Sequence, residues 1–273
     1  MKIIFIAPYS EKLMETVLDC ARVELEDIEV VGSKEEIAKY SSKKELEKLV
    51  IKDIILEKDI VDYVLEIKNS KNILVFGEIA EYNKRKILKE LDNSIDYYFI
   101  DIFDIPNLKN YIYVPSLKVM NTYVYEEKRK MIKTGFEFMN KLGIKKSNLR
   151  YIDFNITEAE MLEANVLNLL FKEENIKINA LNPITLSNLF DLKNKENIYQ
   201  CNLNMIIFNS YKFSRMFREF MYYFMCLKVG CIGICSENYF IDTREITDPN
   251  QIIFSLLIIK KVIKNYKNLI GNN

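Results

Sequence analysis

Three stretches of this chain place cationic or hydrogen-bonding side chains where a turn should open into a helix, an arrangement that suits an anion. Gly77 follows the apolar run Ile73–Phe76 and leads to Lys84, Arg85 and Lys86. Asn209, Ser210 and Lys212 follow Met205–Phe208, and Thr243, Arg244 and Asp248 precede the last long helical stretch. The N–H groups and dipole at a helix start favour negative charge, and an arginine can clamp a phosphate or carboxylate through two parallel N–H bonds. Each stretch also has a plainer reading. The basic triplet could be a solvated helix face. Asn209 and Ser210 could serve only as turn and capping residues, and Asp248 could cap its helix rather than accept a proton.

Other chemistries are excluded by what is missing. There is no histidine, so neither Ser-His-Asp nor Cys-His catalysis can be assembled. The five cysteines, Cys20, Cys201, Cys226, Cys231 and Cys235, include no Cys-x-x-Cys pair. That pattern fits buried free thiols better than a zinc site. The seven glycines cannot be arranged as Gly-x-Gly-x-x-Gly or as a phosphate-binding P-loop.

These residues must be held by an ordered scaffold. Hydrophobic residues make up 49% of the chain and charged residues 29%, with 39 of each sign, which disfavours both disorder and a general nucleic-acid-binding field. The apolar start Met1–Ala7 is too short for a signal peptide and meets Pro8. Ile252–Ile259 is far short of the roughly 20 residues needed to cross a bilayer. The expectation is a cytoplasmic protein that is neither secreted nor embedded in a membrane.

Short β-branched and aromatic runs are read as strands at Ile3–Ala7, Ile28–Val31, Ile73–Phe76, Tyr97–Phe103 and Tyr111–Val114. Further strands are read at Arg150–Phe154, Ile176–Leu181, Met205–Phe208 and Val229–Cys235. Helical patterns fall between many of them, at Ser10–Glu24, Lys34–Tyr40, Glu57–Asn69, Asn83–Leu91, Glu126–Leu142, Glu158–Lys172, Lys212–Leu227 and Asp248–Tyr266. Such alternation predicts an α/β fold with a largely parallel sheet. Gly143 sits where a left-handed cap would end a helix, Thr157 with Glu160 has capping-box spacing, and Asp248 with Pro249 suits a helix start. A break near Asp92–Ile95 is the best early boundary.

Taken in order, these segments resemble the phosphate acetyl/butyryltransferase (phosphotransacylase) family from end to end. Phe103-Asp104-Ile105-Pro106 with Tyr111-Ile112-Tyr113-Val114 is similar to that family's F-E-V-P … L-L-F-V segment, and Glu126-Glu127-Lys128 stands at its L-E-E-K helix start. Val30 to Ile37 resembles L-V-G-D-E-E-K-I, and Ile206 to Asn209 resembles L-L-V-P-N. The resemblance implies two αβα domains with largely parallel sheets and a cleft between them. One domain would comprise 1–95 plus 241–273, and the other, carrying the dimer contact, 96–240. It also implies acyl transfer between coenzyme A and phosphate in a homodimer, with no metal and no tightly bound cofactor. Acyl-CoA and phosphate, or another small anion, would be the ligands, with no nucleic acid or membrane as partner.

Carried over residue by residue, the resemblance makes Arg244, Asp248 and Arg85 the candidate catalytic residues, with Thr243, Asn209, Ser210 and Ser116 binding substrate. The departures are concentrated in these motifs. Thr243 replaces a serine, and an ungapped alignment puts Glu245 rather than Arg244 at the arginine position. The segment from Phe76 to Arg85 lacks the family's first lysine and hydroxyl pair. Ser116 and Met120 replace an aspartate and an asparagine. Phe213 stands where the family has a glycine, and its side chain would block close backbone approach by a ligand. Three roles follow: first a phosphate acyltransferase-like protein with retained, lost or altered activity, then a non-catalytic acyl-CoA- or anion-binding or regulatory relative, or a structural subunit beside a complete homologue.

Overall fold

A computed structural model describes residues 1–67, 72–92, 97–118 and 123–270. Met120 and the proposed boundary at 93–95 lie outside the described residues. The chain divides into two compact units, Met1–Tyr97 with Gly230–Lys260, and Tyr98–Val229 with Lys261–Asn273.

The first unit begins with β1 (Lys2–Ile6), α1 (Glu11–Arg22), β2 (Asp27–Gly32), α2 (Lys34–Ala38), α3 (Lys43–Leu46), β3 (Val50–Asp53), α4 (Glu57–Glu66), β4 (Ile73–Phe76) and α5 (Glu81–Asp92). The second unit contains β5 (Tyr98–Asp104), β6 (Ile112–Leu117), α6 (Tyr125–Lys141), β7 (Ser147–Asp153), α7 (Glu158–Glu173), β8 (Ile178–Thr185), α8 (Leu186–Phe190), β9 (Met205–Ile207) and α9 (Tyr211–Tyr223). The chain then runs through β10 (Lys228–Cys235), β11 (Asn238–Asp242) and α10 (Pro249–Ile270).

In the first unit the strand order is β3-β2-β1-β4-β11-β10, parallel except for the β10–β11 hairpin. The runs read as strands are its centre: Ile4, Phe5, Ile6, Ile73, Val75 and Phe76 are wholly buried. Burial on both faces explains why these strands are continuously apolar rather than alternating. The chain moves outward from β1 to β2 and β3, then returns to pair β4 on the other side of β1. That reversal between β1 and β4 is the place where open α/β sheets commonly leave a crevice for ligands.

In the second unit the order is β5-β6-β9-β7-β8, with β5 and β6 antiparallel and the others parallel. Helix α6 comes so close to β6 that a Cβ on Gly135 would sit 3.1 Å from the Pro115 ring. Beneath α9, Arg218 donates to Asp101 on β5 at 2.7 Å with both side chains buried. That contact fixes which face of the helix meets the sheet.

The predicted helix ends are present. Gly143 adopts φ +91° after α6, Thr157 and Glu160 form a complete capping box on α7, and Asp248 accepts from the Asn250 N–H beyond Pro249. No helix among the described residues is long and apolar enough to cross a membrane.

The cysteine expectation needs a correction. Cys20, Cys231 and Cys235 are buried, but Cys226 is exposed and Cys201 half-buried. Cys226 lies in the turn after α9 with φ +52°, away from any apolar core. Desolvation, with a smaller contribution from Asp19, pushes the Cys20 thiol up to about 12. Since the thiolate is the reactive form, a water-soluble maleimide should label Cys226 in the native chain and reach Cys20 only on unfolding. Peptide mapping that finds both labelled at equal rates in the native chain would contradict this placement.

Candidate functional site

The carboxyl ends of the parallel strands bring most of the predicted residues together, unit by unit. In the first unit, β1, β4 and β11 end side by side, since Ile6 pairs with Phe76 and Phe76 with Asp242. The turn after β4 packs tightly. A Cβ on Gly77 would lie 2.3 Å from the Ala7 carbonyl oxygen, so only glycine fits. The N–H groups here point into protein rather than outward. Gly77 donates to the Ile6 carbonyl at 2.9 Å, and Glu78 and Tyr9 both donate to the Ala7 carbonyl at 2.8 Å.

Carboxylates of the chain occupy the helix starts. Glu57 accepts from the Ala80 N–H before α5, and Asp53 accepts from the Lys34 N–H of α2 at 2.9 Å. The neighbouring Ser33 N–H is taken by the Tyr9 hydroxyl at 2.7 Å. A carboxylate at such a position satisfies the same N–H groups and dipole that would hold a phosphate.

The cations are occupied in the same way. Lys84 is buried with 1% of its side chain exposed, and it pairs with Asp242 and, at 2.6 Å, with Glu81. Arg244 donates through Nη1 to Glu81 at 2.9 Å and through Nη2 to the Ile79 carbonyl at 2.5 Å. Arg85 donates to the other Glu81 oxygen at 3.2 Å, and that contact is the main reason its pKa is raised. Glu81 therefore faces Lys84, Arg85 and Arg244 at once. Thr243 donates through both N–H and Oγ1 to the Phe76 carbonyl, at 3.1 and 2.9 Å, which ties the segment to the end of β4. Asp248 belongs to the α10 cap, as its plainer reading anticipated.

In the second unit, Asn209 and Ser210 follow β9 beside the end of β7. The Asn209 amide donates to Asp153 at 2.5 Å and to Glu160, while its own Oδ1 is buried without a partner. Two carboxylates on one NH2 group fix that orientation, because reversing the amide would set oxygen against oxygen. Ser210 caps α9 by accepting from the Phe213 N–H at 3.2 Å. Phe213 stacks on Phe154 with ring centroids 4.7 Å apart and packs on Phe208 at the same distance. Ser116 is buried on β6, and its Oγ finds no partner. Tyr123 links its neighbour to the Asn209 turn: the Leu117 N–H donates to the Tyr123 hydroxyl at 3.2 Å and the Tyr123 N–H donates to the Asn209 carbonyl at 2.9 Å. No group of three or more Cys, Asp or Glu suited to a metal ion occurs among the described residues.

The structure of a branched-chain phosphotransacylase from Enterococcus faecalis V583 superposes with a TM-score of 0.73 over 96% of this chain and 100% of that one, at 12% identity. The fold is that of the phosphotransacylases. A phosphotransacetylase from Streptococcus pyogenes gives 0.66 over 98% of this chain and 94% of that one, at 10% identity. A putative 4-hydroxythreonine-4-phosphate dehydrogenase from Salmonella typhimurium shares the architecture too, with 0.62 over 96% and 99% at 9% identity. No family model matches the sequence, and no curated protein matches it. At these identities the likeness establishes the fold and leaves the chemistry to the residues themselves.

Sequence reasoning identified Arg244, Arg85, Thr243 and Asn209 but missed the acidic residues that engage them. Glu81, Asp242, Glu57, Asp53, Asp153 and Glu160 are scattered over the chain and meet only in space. Only Glu160 was singled out in advance, as the capping-box partner of Thr157, and the local signal for Glu81 was its place one helical turn before Lys84 and Arg85.

Proposed function

We propose that this chain is a non-catalytic binding protein on the phosphotransacylase fold, in which internal carboxylates fill the positions that phosphate and the phosphate end of coenzyme A would need. The observation that carries this reading is Glu81, one carboxylate shared by Lys84, Arg85 and Arg244. An external anion must displace a carboxylate already held at covalent proximity, which acts as an intramolecular competitor at high effective concentration. Acyl transfer also needs donors aimed at the developing oxyanion. The N–H groups of Gly77 and Glu78 are committed to the Ile6 and Ala7 carbonyls instead.

The alternative, an active acyltransferase moving an acyl group between CoA and phosphate, is favoured by Arg244, whose side chain remains 43% exposed. It requires Arg244 to leave both Glu81 and the Ile79 carbonyl before it can hold phosphate.

A thiol-release assay decides between the two. Acetyl-, butyryl- and isobutyryl-CoA, each with phosphate, are expected to release thiol at the uncatalysed rate. Phosphate-dependent release that disappears in Arg244→Gln would establish the enzyme reading.

A further inference from the structure

We infer that the second unit binds a small apolar carboxylic acid, with its chain or ring in a phenylalanine-lined groove and its carboxylate beside Lys212. The groove has a volume of about 410 Å³ and is walled by Phe154, Leu186, Phe190, Phe217 and Phe220. That is the low end of the size range of small-ligand sites, which are mostly apolar with a few polar groups fixing orientation. Its rim hydroxyls are already engaged, since Thr185 and Ser187 bond each other at 2.9 Å and Thr185 also caps α8. The groove therefore selects for apolar surface and offers nothing to a polar tail.

A second hollow of about 350 Å³ shares Phe154 with the first and is lined by Asn209, Ser210, Lys212, Phe213 and Met216 as well as Asp153. Its polar groups are nearly all used inside the protein. Asp153 accepts from the Phe154 N–H at 2.6 Å and from Asn209 at 2.5 Å, and Ser210 accepts from Phe213. Two groups are exceptions: Asn209 Oδ1 is a buried acceptor without a partner, and Lys212 is exposed in the first turn of α9 with no ion pair among the described residues. A cation at the start of a helix, next to an apolar groove, matches a ligand with one negative end and one apolar end. Phe154 and Phe220 are 64% and 48% exposed, so a ligand covering them removes apolar surface that the fold leaves in water.

This inference uses only residues of the second unit and does not rest on the loss of acyl transfer. Its test is separate from the thiol-release assay. Isothermal titration calorimetry of the full chain with butyrate, hexanoate and octanoate should show affinity rising roughly tenfold for each two methylenes added, until the groove is full. Octan-1-ol should bind about tenfold more weakly than octanoate. Ser187→Trp, at an exposed rim position, should fill the groove and weaken octanoate at least tenfold. Lys212→Glu should weaken octanoate while leaving octan-1-ol unchanged. Circular dichroism confirms that both variants are folded. Octanoate binding that is absent in the folded chain, or indifferent to both substitutions, overturns the proposal. So does a Ser187→Trp variant that changes the sedimentation coefficient of the unliganded chain, because the groove would then be a contact between copies.

Discussion

Asp242→Asn leaves the chain about 3 kcal/mol less stable to denaturant, a large effect for a substitution that changes one oxygen to an NH2 group. The cause is the partner left behind. Lys84 and Asp242 each have 1% of the side chain exposed, so the lysine ammonium has almost no water to replace the lost carboxylate. Glu81, at 2.6 Å and partly exposed, remains and keeps the loss at the lower end of what breaking a buried pair costs. Replacing both members by apolar residues of similar size, Lys84→Met with Asp242→Leu, should restore most of the stability, since no buried charge is then uncompensated. Urea denaturation followed by circular dichroism measures both variants. A loss below about 1 kcal/mol for Asp242→Asn would show that Lys84 reaches water after all.

The interior of each unit was legible because one physical rule sufficed. Strands buried on both faces must be continuously apolar, and Ile73–Phe76 was read to its terminal residues. Two strands were not legible. β3 is a short outer strand, Val50-Ile51-Lys52-Asp53, whose mixed polarity looks like loop. β11 follows β10 through a turn in which Ser236 takes φ +52° without a glycine or asparagine to announce it. Missing β11 mattered, because that strand carries Asp242 to the end of β4 and so delivers both Thr243 and Arg244.

The candidate site was legible as a set of cations and hydroxyls but not as a network. Arg244 and Arg85 could be named from local motifs, whereas their shared partner Glu81 lies 163 residues from Arg244 in sequence. The pairs of Glu81 with Lys84 and Arg85 follow the i,i+3 and i,i+4 spacing of one helix, whereas its pair with Arg244 joins two strand ends and obeys no rule for chain neighbours. The same limit explains Asn209, whose bond to Asp153 spans 56 residues.

Glu81→Gln is the second large expected effect, and its sign is a gain. Removing that charge releases Arg85 and Arg244 from a common carboxylate, while Lys84 keeps Asp242. Glu81 is only partly buried, so the cost in stability should stay within about 1 kcal/mol. Affinity for inorganic phosphate should rise at least tenfold, corresponding to about 1.4 kcal/mol. A charge-assisted, two-pronged contact from Arg244 is enough to supply that amount. Adding Arg244→Gln to the same chain should abolish the gain, which separates a specific site from a general change in net charge.

The claim beneath all of this is that acidic side chains already sit where an incoming anion would bind. Calorimetric titration of the unaltered chain with inorganic phosphate, run beside Glu81→Gln under identical salt, tests it most directly. The account predicts no saturable heat for the unaltered chain and a saturable isotherm for the variant. Saturable phosphate binding by the unaltered chain that vanishes in Arg244→Gln would contradict it.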